Sequence, residues 1–314
     1  MIQPICPVCA GTSDLWREKS GFKVFKCVSN SCGHAFVAPT PSAEWLASYY
    51  DNPTDALENS SSWTIAADYA QNPKSVYKMY NRSRIRHLRR QKLLHSRDEA
   101  ICDLGSATGC FLAVLKDLGF MNVTGCEISR AQADYSEASL GIRTFTETSQ
   151  ISSHSIDLMC AYAVLEHAAD PRHLLTEAHR ILKSDGRLVI DVPNTRSFYE
   201  SLTKNRWLWL IPPSHLNYFS PSSLRCLLEQ CGFEVTSSRT LSTSTYTYLI
   251  AHHLFLSLNR PIPSTALSTS WTKRMCVNLI EGSLRLFLWL PSVLASAMNR
   301  HNQLIFVARA KESL

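Results

Sequence analysis

Long apolar runs are missing from these 314 residues. No stretch of about 18 uninterrupted apolar side chains occurs, so a bilayer-spanning helix is not expected. Residues 1–7 do not form a basic segment leading into an apolar one, so no secretory signal is expected either. Glycine (11) and proline (14) are few, which excludes collagen-like and low-complexity chains. Charged residues are sparse at 18%, against 45% hydrophobic, so the chain can bury a substantial core. The length suits one catalytic-size domain of about 150 to 200 residues with a smaller appendage. Acid is locally absent as well. The net charge of +6 arises between Lys74 and Arg97, which hold nine Lys or Arg and no carboxylate, while the remainder carries 23 basic against 26 acidic groups.

Cysteine is plentiful, at eleven, but mostly unpatterned. Cys102, Cys110, Cys126, Cys160, Cys226, Cys231 and Cys276 fall in apolar or helix-like stretches without regular spacing, as small buried hydrophobes of a reduced, cytoplasmic protein do. The other four are ordered: Cys6-Pro-Val-Cys9, 17 residues, then Cys27-Val-Ser-Asn-Ser-Cys32. Two short Cys-x(2–4)-Cys turns offer four thiolates to a tetrahedral zinc, and a closed all-thiolate site is structural rather than catalytic. Gly11 and Gly33 follow the knuckles, where a tight turn is expected to need positive φ. The stretch resembles a zinc ribbon, with strands expected at 23–26 and 34–37 and with His34 a spare rather than a ligand. So short a module draws its folding free energy from the metal. Its role is left among binding nucleic acid, binding protein and bracing a neighbouring domain.

Residues 39–41 and 52–62 read as linker, with a short helix at 43–50 between them. In the basic segment Val76, Met79, Tyr80, Ile85, Leu88, Leu93 and Leu94 recur at helical spacing, giving an amphipathic helix. Its basic face suits phosphate, nucleic acid or lipid headgroups, or is a solvated face on a helix that covers the next domain's edge.

From residue 100 short apolar strands alternate with helical stretches. Strands are expected at 100–104, 122–127, 142–145, 156–162 and 187–192, and helices at 111–118, 129–140 and 171–182. That succession predicts a parallel sheet with helices on both faces and ligands beyond the carboxyl ends of the strands. The first strand runs into Asp103-Leu-Gly105-Ser106-Ala107-Thr-Gly109, a turn whose small residues let a ligand approach the backbone. The second ends in Glu127, 18 residues after Gly109, where a carboxylate accepts hydrogen bonds from both hydroxyls of a ribose. A dinucleotide and S-adenosylmethionine both fit this arrangement.

Three later segments complete a resemblance: Leu165-Glu166-His167 after the fourth strand, the Leu182-Lys-Ser-Asp-Gly186 turn, and Val192-Pro193-Asn194. Residues 99–238 resemble a class I S-adenosylmethionine-dependent methyltransferase of the ubiquinone type. The resemblance implies a Rossmann-like α/β fold of seven strands, the last antiparallel, with the sixth at 233–238 and the seventh at 303–308. It implies cofactor contacts at Asp103, which polarises the ammonium group, and at Gly105, Ser106, Ala107, Gly109 and Tyr162. It also implies that Glu127 holds the ribose, Ile128 packs on the adenine, and Arg84 reaches the cofactor carboxylate. A glycine frequent in the family is Ala107 here. With φ kept negative, its methyl is expected to weaken binding rather than abolish it.

Glu166, His167 and His215 are the candidate catalytic residues. In some relatives a Glu-x-x-Glu-His motif holds a divalent cation, but here Ala163 replaces the first Glu. The remaining three suit a second divalent metal, a base with its orienting partner, or ordinary packing. Ser220 is the expected N-cap of a helix at 221–230. Tyr199, Trp207, Trp209, Tyr218 and Phe219 lie where the family places its acceptor lid, and suit a ring-bearing, sugar or acyl substrate. Residues 246–258 and 277–298 are apolar, and Pro291 interrupts the second, which reads as a helical pair, a dimer face or an interfacial membrane patch. The expected organisation is a ribbon (1–38), a helical linker with the basic helix (39–98), the cofactor domain (99–240), an apolar insertion (241–302) and the last strand with its tail (303–314). The leading expectation is O-methylation of a small molecule, glycan or lipid-linked precursor in the cytoplasm, with peripheral membrane contact through 277–298. The alternatives are an RNA methyltransferase and a non-catalytic binding protein.

Overall fold

The computed structural model describes residues 3–42, 45, 46, 49, 76–241 and 293–311. The linker 52–62, most of the helix at 43–50, the apolar stretch 246–258 and residues 277–292 lie outside the described residues, as does Cys276. In chain order the elements are β1 (Ser13–Lys19), β2 (Phe22–Cys27), β3 (Ala35–Val37), α1 (Val76–Arg90), β4 (Ile101–Leu104), α2 (Cys110–Asp117), β5 (Val123–Cys126), α3 (Arg130–Leu140), β6 (Thr144–Phe145), β7 (Ile156–Tyr162), α4 (Pro171–Ile181), β8 (Leu182–Pro193), α5 (Phe198–Thr203), β9 (Asn217–Tyr218), α6 (Pro221–Gln230), β10 (Phe233–Leu241) and β11 (Gln303–Ala310).

Seven strands form one sheet in the order β10-β11-β8-β7-β4-β5-β6. The neighbours from β8 to β6 pair in parallel, whereas β11 is antiparallel to both β8 and β10. The seventh strand therefore returns antiparallel, as the resemblance implied. The central strands are short apolar runs because both faces are covered. Successive side chains divide between the faces: Ile101 and Leu158 join Ile85, Leu88, Leu112 and Leu115 on one, while Cys102 and Met159 join Leu175, Leu224, Phe233 and Phe306 on the other. Fully burying one such aliphatic side chain contributes about 1.5–3 kcal/mol. The helix α4 shows the local logic: Asp170 caps it by accepting from the His173 amide, Pro171 opens it, and Leu175, Ala178 and Ile181 form its buried stripe.

The basic segment is a helix with Ile85 and Leu88 buried on the same face of the large sheet as Leu112 and Leu115, so it covers that face rather than an edge. The chain just beyond α1 is tied to β8 by Arg187, which donates to Glu99 Oε1 at 2.7 Å and to the Leu93 carbonyl at 2.7 Å. Within the described part of the insertion, Val293, Leu294 and Met298 are exposed, and Ala295 packs with Tyr199. Among the described residues no helix is long and apolar enough to cross a membrane.

The second sheet was only half expected. It has four strands, β1-β2-β3-β9, in which β1 precedes the strand predicted at 23–26 and β9 comes from far along the chain. Ala35 pairs with Tyr218 and Phe36 with Asn217, and the next residue, Phe219, bridges Asn194 at the carboxyl end of β8. The ribbon is therefore laid directly onto the carboxyl edge of the large sheet. Its left-handed turn residues also differ from expectation: Gly33 is at φ 64°, but the first knuckle places that conformation on Ala10, at φ 58°, rather than on Gly11.

Candidate active site

The chain crosses over between β4 and β7, opening a crevice at their carboxyl ends. The turn after β4 forms its floor. Gly105 and Gly109 adopt φ of 68° and 79°, and a Cβ on either would approach Val164 Cγ2 to 2.6 Å or Ser136 Oγ to 2.4 Å. Ala107, between them, has φ 48°. The condition of negative φ is therefore not met, and the methyl carries left-handed strain of about 1–2 kcal/mol. Glu127 accepts from the Ala107 amide at 2.8 Å and the Ser129 amide at 2.9 Å, which aims the carboxylate across the turn. Burial nevertheless raises its pKa. Asp103 is buried beneath, and desolvation pushes its carboxyl up to about 8 against the pull of Arg84. The Arg84 guanidinium lies 4.3 Å from the centre of the Tyr162 ring, which brings the helix beside the buried Asp103 and Tyr162. Ser106 and Tyr162 are buried there, and Ile128 stands exposed on the rim.

Asp191 was not foreseen. It is buried on β8, its pKa is pushed up to about 6 by burial, and Arg84 opposes that shift. A carboxylate inside an apolar strand run, within Val-Ile-Asp-Val, was the available signal.

Glu166, His167 and His215 converge, with one ligand atom from each lying within 4.8 Å of the others. His167 Nδ1–H donates to the Ser214 carbonyl at 2.8 Å and His215 Nδ1–H to the Trp209 carbonyl at 2.9 Å. A carbonyl only accepts, so in each neutral ring the lone pair is on Nε2. Burial, and then the neighbouring His167, hold His215 well below the usual imidazole range. The group adjoins the crevice: Val164 packs on Gly105, and His167 acts electrostatically on Glu127. The Glu166 carbonyl accepts from the amides of Leu216 and Asn217, so β9 holds this loop.

The Sγ atoms of Cys6, Cys9, Cys27 and Cys32 also lie within 4.8 Å of one another, with Cys6–Cys32 at 3.8 Å and Cys9–Cys27 at 3.4 Å. A tetrahedron with Zn–S of 2.3 Å has edges of about 3.8 Å, so the four sulfurs fit a single zinc. The hydrogen bond between Cys6 and Cys32 lowers Cys6 to about 5 and raises Cys32, while burial pushes Cys27 up to about 11. Four thiolates do not coexist there without a cation. His34 is outside the cluster: it is buried, stacks on Phe36 and contacts Asn217 Oδ1 at 3.3 Å.

The aromatic residues are not an open lid. Trp207, Tyr218 and Phe219 are fully buried; Trp207 and Tyr218 pack with Val24, Ala35 and Val37, and Phe219 with Phe36. They join the ribbon to the large domain, where their area stabilises more than it would in a solvent-facing flap. Ser220 caps α6 as expected and also donates to the Cys32 carbonyl at 2.6 Å.

Residues 77–238 match the family model described as a methyltransferase domain, which covers more than half of the chain. The chain belongs to the class I S-adenosylmethionine-dependent methyltransferases. No curated protein matches the sequence of this methyltransferase. Among solved structures it resembles the cyclase SpnF, with 15% identity, 87% of this chain and 98% of that one covered, and a TM-score of 0.53. It also resembles phosphoethanolamine N-methyltransferase 2 of Haemonchus contortus in complex with S-adenosyl-L-methionine, with 12% identity, coverage of 88% and 62%, and a TM-score of 0.51. At these identities the likeness shows the fold.

Proposed function

We propose that this methyltransferase methylates a hydroxyl of a small-molecule, glycan or lipid-linked acceptor, and that its ribbon holds a structural zinc. The observation that carries the acceptor reading is the group formed by Glu166, His167 and His215 beside the cofactor crevice. When bound, S-adenosylmethionine supplies an electrophilic methyl. In this reading Asp103 and Arg84 would take its charged amino acid end, Glu127 the ribose and Ile128 the adenine. Displacement at a methyl is in-line, so orientation supplies much of the rate, and a base matters chiefly when the nucleophile is a hydroxyl. A neutral imidazole with its Nδ1–H anchored to a carbonyl presents Nε2 as that base, and the Glu166 carboxylate stabilises the imidazolium that results.

A second reading is favoured by one specific feature. Both histidines are oriented through Nδ1 by backbone carbonyls, the arrangement that turns imidazole nitrogens toward a metal. A divalent cation held by Glu166, His167 and His215 would then bind the acceptor hydroxyl.

Calorimetric titration of zinc-replete protein with S-adenosylhomocysteine tests the cofactor site: micromolar binding in the wild type, lost in Glu127→Ala, is expected. Unchanged affinity in that variant would remove the ribose assignment, and no binding at millimolar ligand by folded protein would favour a non-catalytic binding role. Screening hydroxylated acceptors with labelled cofactor, with and without added Mg²⁺, then separates the base from the cation.

A further inference from the structure

Where the ribbon meets the large domain there is an open cavity of about 520 Å³, lined by Lys26 from β2, Asn194 and Arg196 beyond β8, Glu200 from α5 and Arg300 near the start of β11. Three cations face it against one carboxylate. That carboxylate is already committed, because Glu200 forms an ion pair with Arg17 of β1. The arginines are fixed by neutral groups: Arg196 Nη2 donates to the Asn30 carbonyl at 2.8 Å, and Arg300 Nε donates to the Arg196 carbonyl at 2.6 Å. Hydrogen bonds to carbonyls orient a guanidinium without cancelling its charge, and they leave its other N–H groups for a ligand. Among the described residues Lys26 Nζ has no carboxylate within ion-pair distance, and it stands 5.2 Å from the Trp16 ring centre. Its pKa is lowered, first by burial and further by Arg196 and Arg17, against the pull of Glu200. An anion in the cavity would relieve that repulsion.

We propose that this cavity binds the phosphate or diphosphate group of the acceptor. The assignment rests on the methyl-transfer reading for its place in the reaction. One continuous segment connects the two sites: His215 belongs to the catalytic group, Phe219 bridges Asn194, and Pro221 lines the cavity. Six residues of extended chain span at most about 20 Å, which limits the separation of the methylated hydroxyl from the anionic group. The three cations surround one concavity and do not run along a face, so they suit a compact diphosphate better than a nucleic-acid track. A nucleotide-linked and a prenyl-linked acceptor share this chemistry.

The test is calorimetry on the full-length, zinc-replete protein with inorganic pyrophosphate, uridine diphosphate and farnesyl diphosphate, alongside S-adenosylhomocysteine. Pyrophosphate is expected to bind. Lys26→Met and Arg300→Gln are each expected to weaken it at least fivefold, while S-adenosylhomocysteine affinity in the same samples stays within twofold and certifies the fold. Tighter binding of uridine diphosphate or of farnesyl diphosphate identifies the soluble or the lipid source. Absence of pyrophosphate binding, or equal affinity in the variants, in protein that binds S-adenosylhomocysteine overturns the anion site and leaves the methyl-transfer reading intact. Single-stranded RNA binding that depends on Lys26 while pyrophosphate does not bind also overturns it. Pyrophosphate binding without S-adenosylhomocysteine binding keeps the anion site and removes the methyl-transfer reading.

Discussion

The two halves of the crevice are built differently. On the cofactor side, Asp103, the turn from Gly105 to Gly109 and Glu127 come from one βαβ unit, and the turn's own amide fastens the carboxylate. On the proposed acceptor side, Glu166, His167 and His215 come from two loops joined where β9 lies between the ribbon and β8. The first half is a property of local chain; the second is a property of assembly. Folding of the cofactor side should therefore survive damage that disorganises the acceptor side.

Removing the proposed zinc would break the comparison most sharply. Structural zinc contributes about 10–16 kcal/mol of apparent binding free energy in small modules, and this ribbon has little apolar core apart from what it shares with the large domain. In Cys9→Ser we expect zinc content to fall to zero and methyl transfer to be lost, with S-adenosylhomocysteine affinity within about threefold of wild type. Metal content by atomic absorption and calorimetry on one sample check this. Cofactor affinity that falls in step with zinc would mean that the two halves fold as one.

Asn217→Ala cuts the same connection at a single side chain. The Asn217 amide donates to the Ala168 carbonyl at 2.6 Å, while its oxygen faces His34. Leaving such buried groups without a partner costs about 1–3 kcal/mol. Turnover is expected to fall by at least tenfold with little change in cofactor affinity. A loss in melting temperature without a change in turnover would reduce Asn217 to a structural contact.

This division also explains what the sequence made legible. Five strands of the large sheet, the glycine turn after β4 and the spacing of Cys6, Cys9, Cys27 and Cys32 were readable because each signal lies in a short window: an apolar run, a turn, a fixed spacing. The last two strands came from the family resemblance. The helix bearing Arg84 was readable from its periodicity. By contrast β9 is two residues long, and what fixes it is pairing with Ala35 and Phe36, about 180 positions earlier. No local pattern marks such a strand. The burial of Trp207, Tyr218 and Phe219 was hidden for the same reason: an aromatic run reads alike whether it forms a lid or an interface. Ala107 was misjudged because composition does not report φ.

On the cofactor side, the effect of pH is calculable. Burial raises the Asp103 carboxyl to about 8, with Arg84 lowering it and Glu127 raising it, so the free protein holds that proton at pH 7. Pairing with the ligand's ammonium favours the carboxylate, and binding expels the proton. Affinity for S-adenosylhomocysteine should weaken as pH falls below about 8, by up to tenfold per unit. Calorimetry at pH 7 in two buffers of different ionisation enthalpy should show release of about one proton. No difference between buffers would place the carboxylate already ionised.

The smallest effect separates strain from contact at Ala107. If its left-handed φ persists with and without cofactor, the strain is common to both states and cancels from the binding equilibrium. Ala107→Gly should then raise stability by about 1 kcal/mol and leave S-adenosylhomocysteine affinity unchanged. Urea denaturation and calorimetry on the same variant measure the two quantities. A gain in affinity without a gain in stability would show instead that the methyl stands in the ligand's way, so that the turn is shaped by its occupant as well as by its own βαβ unit.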